Sequence, residues 1–151
     1  MKVIVLFARL AVALGFLSAV ADRFGLWGAP GSPNVAWGDF DNFANYTHQL
    51  LYFAGQKTST VLAVIATIME AVLGLLLLLG LWTKKAAVLS GCLLCLFALS
   101  MSFALGIKAP FDYSVWAGAG ACFLLAAILL KPAAQVNNLS VDAYLSRSKR
   151  K

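Results

Sequence analysis

The sequence predicts an all-α membrane protein: an antiparallel bundle of four transmembrane helices, with a long outer loop between the first two. Three observations carry this. Of 151 residues, 62% are hydrophobic and 12% are charged, against roughly 45–50% and 25% in a soluble domain. The mean hydropathy is +0.85. Four apolar segments, at about 3–21, 60–82, 86–107 and 114–130, approach or exceed the ~20 helical residues that cross a bilayer core. All are too long for barrel strands of about 9–11 alternating residues. The length suits one transmembrane domain, 1–130, followed by a basic tail, 131–151.

The first segment, "VIVLFARLAVALGFL", carries Arg9. Lys2, the apolar run and "AVA" before Asp22 also resemble a cleavable signal peptide. An arginine inside the apolar run argues for a retained helix instead. The second segment lies in "ATIMEAVLGLLLLLGLWTKK" and carries Glu70. "TKK" then makes a tight hairpin to the third segment, and "KAPFDY" a short link to the fourth and shortest. Short links make sequential helices antiparallel neighbours.

The outer loop, 22–59, opens with Gly25, Gly28, Pro30, Gly31 and Pro33, which read as turns. Further on, Trp37, Phe40, Phe43, Leu50 and Leu51 recur at helical spacing between Asp39, Asp41, Asn42 and Asn45. That pattern predicts an amphipathic helix lying in the membrane interface. A loop of this length is either functional or a cap on the bundle. The tail is polar apart from Leu139, Ala143 and Leu145, and predicts a short surface helix.

Lysine and arginine set the orientation. With the N-terminus inside, Lys2, Lys84, Lys85, Lys131, Arg147, Lys149, Arg150 and Lys151 lie on the inner side, and Arg23, Lys57 and Lys108 on the outer. That bias places both termini in the cytoplasm. It also accounts for the net charge of +6, with a basic tail facing anionic headgroups. No basic and aromatic residues interleave as a nucleic-acid surface requires, so nucleic acid is excluded as a partner. The bilayer is the expected partner, with other membrane proteins or further copies of the chain.

Glu70 is the leading site candidate. Ala63, Ala66, Thr67 and Gly74 share its helix face, and small residues mark where helices approach closely. Glu70 is therefore expected to point into the bundle with Arg9 as its cation, since arginine stays charged when buried. The pair is either a lock on helix register or a ligand or proton site. The outer end offers a second candidate group: Asp22, Arg23, Trp37 and His48. Cys92 and Cys95, in "GCLLC", form a C-x-x-C pair that could cycle between dithiol and disulfide. Their apolar flanks favour inert packing instead. A single histidine is too few for a zinc site, and no metal is expected. No P-loop, dinucleotide fingerprint or Ser-His-Asp set is present, so no self-sufficient catalytic group is in view.

Two motifs, in order, resemble the DoxX family of small four-helix membrane proteins. "ARLAVALGFLSAVADRFG" is similar to the family's opening helix through Arg9, Gly15 and Asp22-Arg23. "MEAVLGLLLLLGLWTKKAA" is similar to its second through Glu70, Gly74, Gly80 and Thr83-Lys84, with lysine where the family usually has arginine. The resemblance covers about 7–130. It implies a place in the bacterial inner membrane and a link to redox complexes, quinone-coupled or handling oxidative stress. It makes Arg9 and Glu70 the intramembrane site and quinone the cofactor to consider. Some relatives assist assembly of other membrane proteins, which implies a scaffold as the alternative. A small transporter is a third reading. The cysteines do not belong to the family pattern.

Overall fold

The computed structural model describes residues 2–130 and 140–148. Every regular element among them is helical. Three helices are long and apolar enough to cross a membrane: α1 (Lys2–Arg23), α3 (Gln56–Leu79) and α4 (Thr83–Leu105). The loop contains α2 (Phe40–Leu50) and a 3-10 turn, Tyr52–Ala54. After α4 come a single-turn α5 (Ala109–Asp112), α6 (Val115–Ile128) and α7 (Val141–Ser148). The other residues of the basic tail, 131–139 and 149–151, lie outside the described residues.

The fourth apolar helix is shorter than expected. α6 has 14 residues, about 21 Å at ~1.5 Å per residue, against a core of about 30 Å. The chain turns before it. Pro110 sits in α5, and Ser114, at φ 55°, takes the left-handed conformation just ahead of α6.

The four apolar helices pack in a ring: α1 on α3, α3 on α4, α4 on α6 and α6 on α1. α3 shows why. Ser59, Ala63, Thr67, Glu70, Gly74 and Leu77 are buried, at the three-to-four spacing of one helix face. Val61, Ile65, Ile68, Val72, Leu75 and Leu79 are exposed on the other side. An outward face of large apolar side chains is stable against lipid or an apolar partner, not against water.

The crossing of α1 on α3 sets the register of the molecule. A Cβ on Gly74 would lie 3.0 Å from Leu17 Cγ and 3.3 Å from the Ala13 carbonyl oxygen. The backbones therefore meet at Gly74, as small residues permit. Counting from that contact in antiparallel order, Arg23 at the end of α1 falls beside Thr67 and Glu70. Arg9 falls at the far end of α3, beside Gly80.

α1 stops at the level of Glu70 while α3 continues to Gln56. The loop fills the space. Phe43 and Ala44 of α2 pack on Ala63, flanked by Trp37 and Phe40. The amphipathic helix predicted for the interface thus lands on α3, because the end of α1 leaves that surface uncovered. Asp39 caps α2 by accepting from the Asn42 N–H at 2.7 Å. Gly38 precedes it at φ 73°, and a Cβ there would lie 2.7 Å from the Ala29 carbonyl carbon. Only glycine fits this crossing of loop backbones.

At the opposite end, α7 docks on the α3–α4 hairpin. Asp142 accepts from the N–H groups of Trp82 and Thr83 at 2.9 and 2.8 Å, and from Thr83 Oγ1 at 2.8 Å. The Asp142 N–H donates to the Gly80 carbonyl at 3.1 Å. A carboxylate from the tail thus caps the start of α4, where the helix dipole favours negative charge.

Candidate functional site

The end of α1 and the middle of α3 build a buried charged cluster. Arg23 Nη2 lies 2.7 Å from Glu70 Oε2, with the two side chains 2% and 3% exposed. Arg23 Nη1 donates to Thr67 Oγ1 at 2.9 Å. Thr67 in turn donates to the Ala63 carbonyl at 2.9 Å, one turn back along α3. Above the guanidinium sits the loop. Arg23 Cζ is 3.5 Å from the centroid of the Phe43 ring and 5.3 Å from that of Trp37. Desolvated cation–π contacts of this kind contribute about 2 kcal/mol. The Trp37 and Phe43 rings meet edge to face at 5.1 Å.

Asp22 ties the loop to α1. Its Oδ2 accepts from the Ala36 and Trp37 N–H groups at 3.2 and 2.8 Å. Asn42 Nδ2 donates to the Trp37 carbonyl at 3.1 Å, so Trp37 is held from both sides. Tyr46 completes the aromatic cover, its ring 6.2 Å from that of Trp37. Burial pushes its hydroxyl above the usual tyrosine range, with the Tyr113 charge a lesser cause. The ring therefore stays neutral over the ordinary pH range. Within the cluster, Arg23 Nε and Asp22 Oδ1 are buried without a hydrogen-bond partner, and Glu70 Oε2 meets only the guanidinium of its ion pair.

This arrangement corrects the sequence expectation for Glu70. Its cation is Arg23, not Arg9. Arg9 lies at the other end of α1, its guanidinium against Gly80 and within the field of Asp142. The reason is the stagger at Gly74, which no spacing along either helix reveals. Of the outer-end candidates, Asp22, Arg23 and Trp37 come together, and they join Glu70. His48 lies apart from them. Its Nδ1 is 3.2 Å from Ser59 Oγ, across the α2–α3 contact.

Cys92 is exposed and Cys95 half-buried on α4, Cys122 is buried on α6, and all three are free thiols. Ala87, Gly91 and Ala98 on α4 are buried. No group of three metal-ligating side chains occurs among the described residues.

Sequence reasoning missed Phe43 as a cover for a charge and Asp142 as a cap. Phe43 was visible only as one apolar position of a loop helix. Asp142 had a faint signal: it is the one acid in the 131–151 tail, two residues after Ser140.

The cluster brings three kinds of group together. A guanidinium supplies directed donors, a carboxylate can accept or hold a proton, and two aromatic faces exclude water. It contains no nucleophile paired with a base.

Among known proteins, the family model described as DoxX matches residues 4–103. That stretch runs from α1 through nearly all of α4 and includes every member of the buried cluster. No curated protein matches the chain. No solved structure matches it.

Proposed function

The chain belongs to the DoxX family, and on that premise we propose that this integral membrane protein is a non-catalytic accessory subunit of a quinone-linked redox system. The observation that carries the reading is the Arg23–Glu70 pair beneath Phe43 and Trp37, buried at the end of a membrane helix. Intramembrane ionisable residues are expensive and mark ligand or proton sites. The donor set fits a quinone head group. The guanidinium of Arg23 would donate to a quinone oxygen, Glu70 would hold or release a proton beside it, and Trp37 would offer its face to the ring. The unpartnered Arg23 Nε and Asp22 Oδ1 mark where further polar contacts would be made. When bound, a quinone supplies the two-electron, two-proton chemistry that these residues lack.

The reading includes four membrane crossings, with α6 as a short fourth, in a bacterial inner membrane with both ends cytoplasmic. Arg23, buried in its pair, no longer counts as an outer charge. Lys57 and Lys108 then oppose the inner lysines and arginines, which sharpens the bias. Reporter fusions at residue 130 and in the loop test this topology.

One feature favours the scaffold alternative. Both members of the pair are almost fully buried and in direct contact with each other, as a lock on helix register requires. Native mass spectrometry of the detergent-extracted protein separates the two. A quinone-sized adduct, lost in Arg23→Gln, supports the redox reading. A stable protein partner with no small molecule supports the scaffold and ends the quinone site.

A further inference from the structure

The hairpin end of the bundle carries a second surface, built on α7. This helix is two-faced. Asp142 and Ala143 point into the protein, the first capping α4 and the second 2% exposed. Val141, Tyr144 and Leu145 point away, at the i, i+3, i+4 spacing of one helix face. Tyr144 is 75% exposed and Trp82, whose N–H is held by Asp142, is 69% exposed. Lys84 and Lys85 stand exposed in the first turn of α4 beside them. In the sequence, Arg147, Lys149, Arg150 and Lys151 follow directly. The only acid of the 131–151 tail, Asp142, is turned inward and engaged.

This face lies where α3 ends and α4 begins, at the level of the bilayer interface. Exposed tyrosine and tryptophan are at home there, with the indole and phenol at headgroup depth. An apolar stripe flanked by lysine and arginine is the pattern of a helix lying in an anionic interface. We infer that α7, with Trp82, Lys84 and Lys85, forms a docking surface for the anionic phospholipid headgroups of the leaflet at the hairpin end. The apolar face of α7 enters the interface, Lys84 and Lys85 take the phosphates, and Asp142 fixes the helix to the hairpin. Occupation of this surface holds α7 against α4 and so keeps Asp142 on the start of that helix.

Limited trypsin digestion of the full chain in nanodiscs tests this, because both membrane faces are open to the protease. Cleavage in the tail at Arg147 to Arg150 is compared with cleavage at exposed Lys108, at the opposite end. Replacing phosphatidylcholine by a mixture with phosphatidylglycerol should lower the tail-to-Lys108 ratio about tenfold, since anionic headgroups attract the cations near the surface. High salt should restore it. The double variant Tyr144→Ser, Leu145→Ser should lose most of the protection, with Lys108 cleavage unchanged. An equal ratio in neutral and anionic nanodiscs overturns the inference. So does full protection of the double variant, which would mean that charge alone holds the tail and the helix face has no part.

Discussion

The protein has two buried arginines on one helix, and their surroundings differ in kind. Arg23 faces Glu70 directly, both within the bundle, under an aromatic cover contributed by a loop. Arg9 sits where α3 ends, against a glycine, within the field of an acid from a tail helix that caps α4. The first cluster is built from α1, α3 and the loop between them. The second is an interface between the bundle and a separate piece of chain. The difference shows that a buried charge can be answered within the bundle or across a junction, and that its partner's element decides which.

Removing one member of the first cluster should have the largest effect. Arg23→Gln leaves Glu70 buried without its cation and should cost about 3–5 kcal/mol, read as loss of thermal stability in detergent. Arg23→Met combined with Glu70→Leu should recover most of it. A double variant as unstable as the single one would mean that the cover, not the pair, dominates.

The crossing that positions both clusters comes next. Gly74→Leu forces a side chain into Leu17 and the Ala13 carbonyl and should cost about 1–3 kcal/mol. It should also shift α1 along α3, so the Trp37 fluorescence near Arg23 should change with it. Stability loss with unchanged tryptophan emission would separate packing from register.

The junction is expected to be weaker. Asp142→Ala removes the acceptor for Trp82 and Thr83 and should cost about 1–2 kcal/mol, as for other N-caps. Amide hydrogen exchange should accelerate at Trp82 and Thr83 and stay unchanged at Thr67 and Glu70. Acceleration at both ends would mean that the clusters are one unit. The smallest effect is assigned to Lys108→Ala. Its pairing with Asp112 is at the exposed surface, where such pairs contribute about 0–1 kcal/mol. A larger change would make that corner part of the site.

Much of this architecture is legible in the chain alone. The alternation of small and large apolar residues along α3 shows its inward face, and Glu70 lies on it. The long loop and the amphipathic helix within it are visible from turn residues and spacing. Which arginine Glu70 meets is not legible. Both Arg9 and Arg23 lie on α1, fourteen residues apart in the sequence, and a sequence places each on its own helix but not one helix against another. Arg23, beside Asp22 at the end of an apolar run, reads as a solvated flank. It is buried because α2 folds back over it.

By itself the sequence determined the medium and the elements. With 62% hydrophobic residues and apolar runs of spanning length, only lipid can solvate the outer faces, and helices alone can satisfy their backbones there. The partners of its charges were decided by tertiary structure. Close approach at Gly74 fixes the sliding of α1 along α3, and an ion pair forms only between groups within a few ångströms. A shift of about four helical turns would have put Arg9 beside Glu70 instead, and nothing local in the chain encodes the stagger.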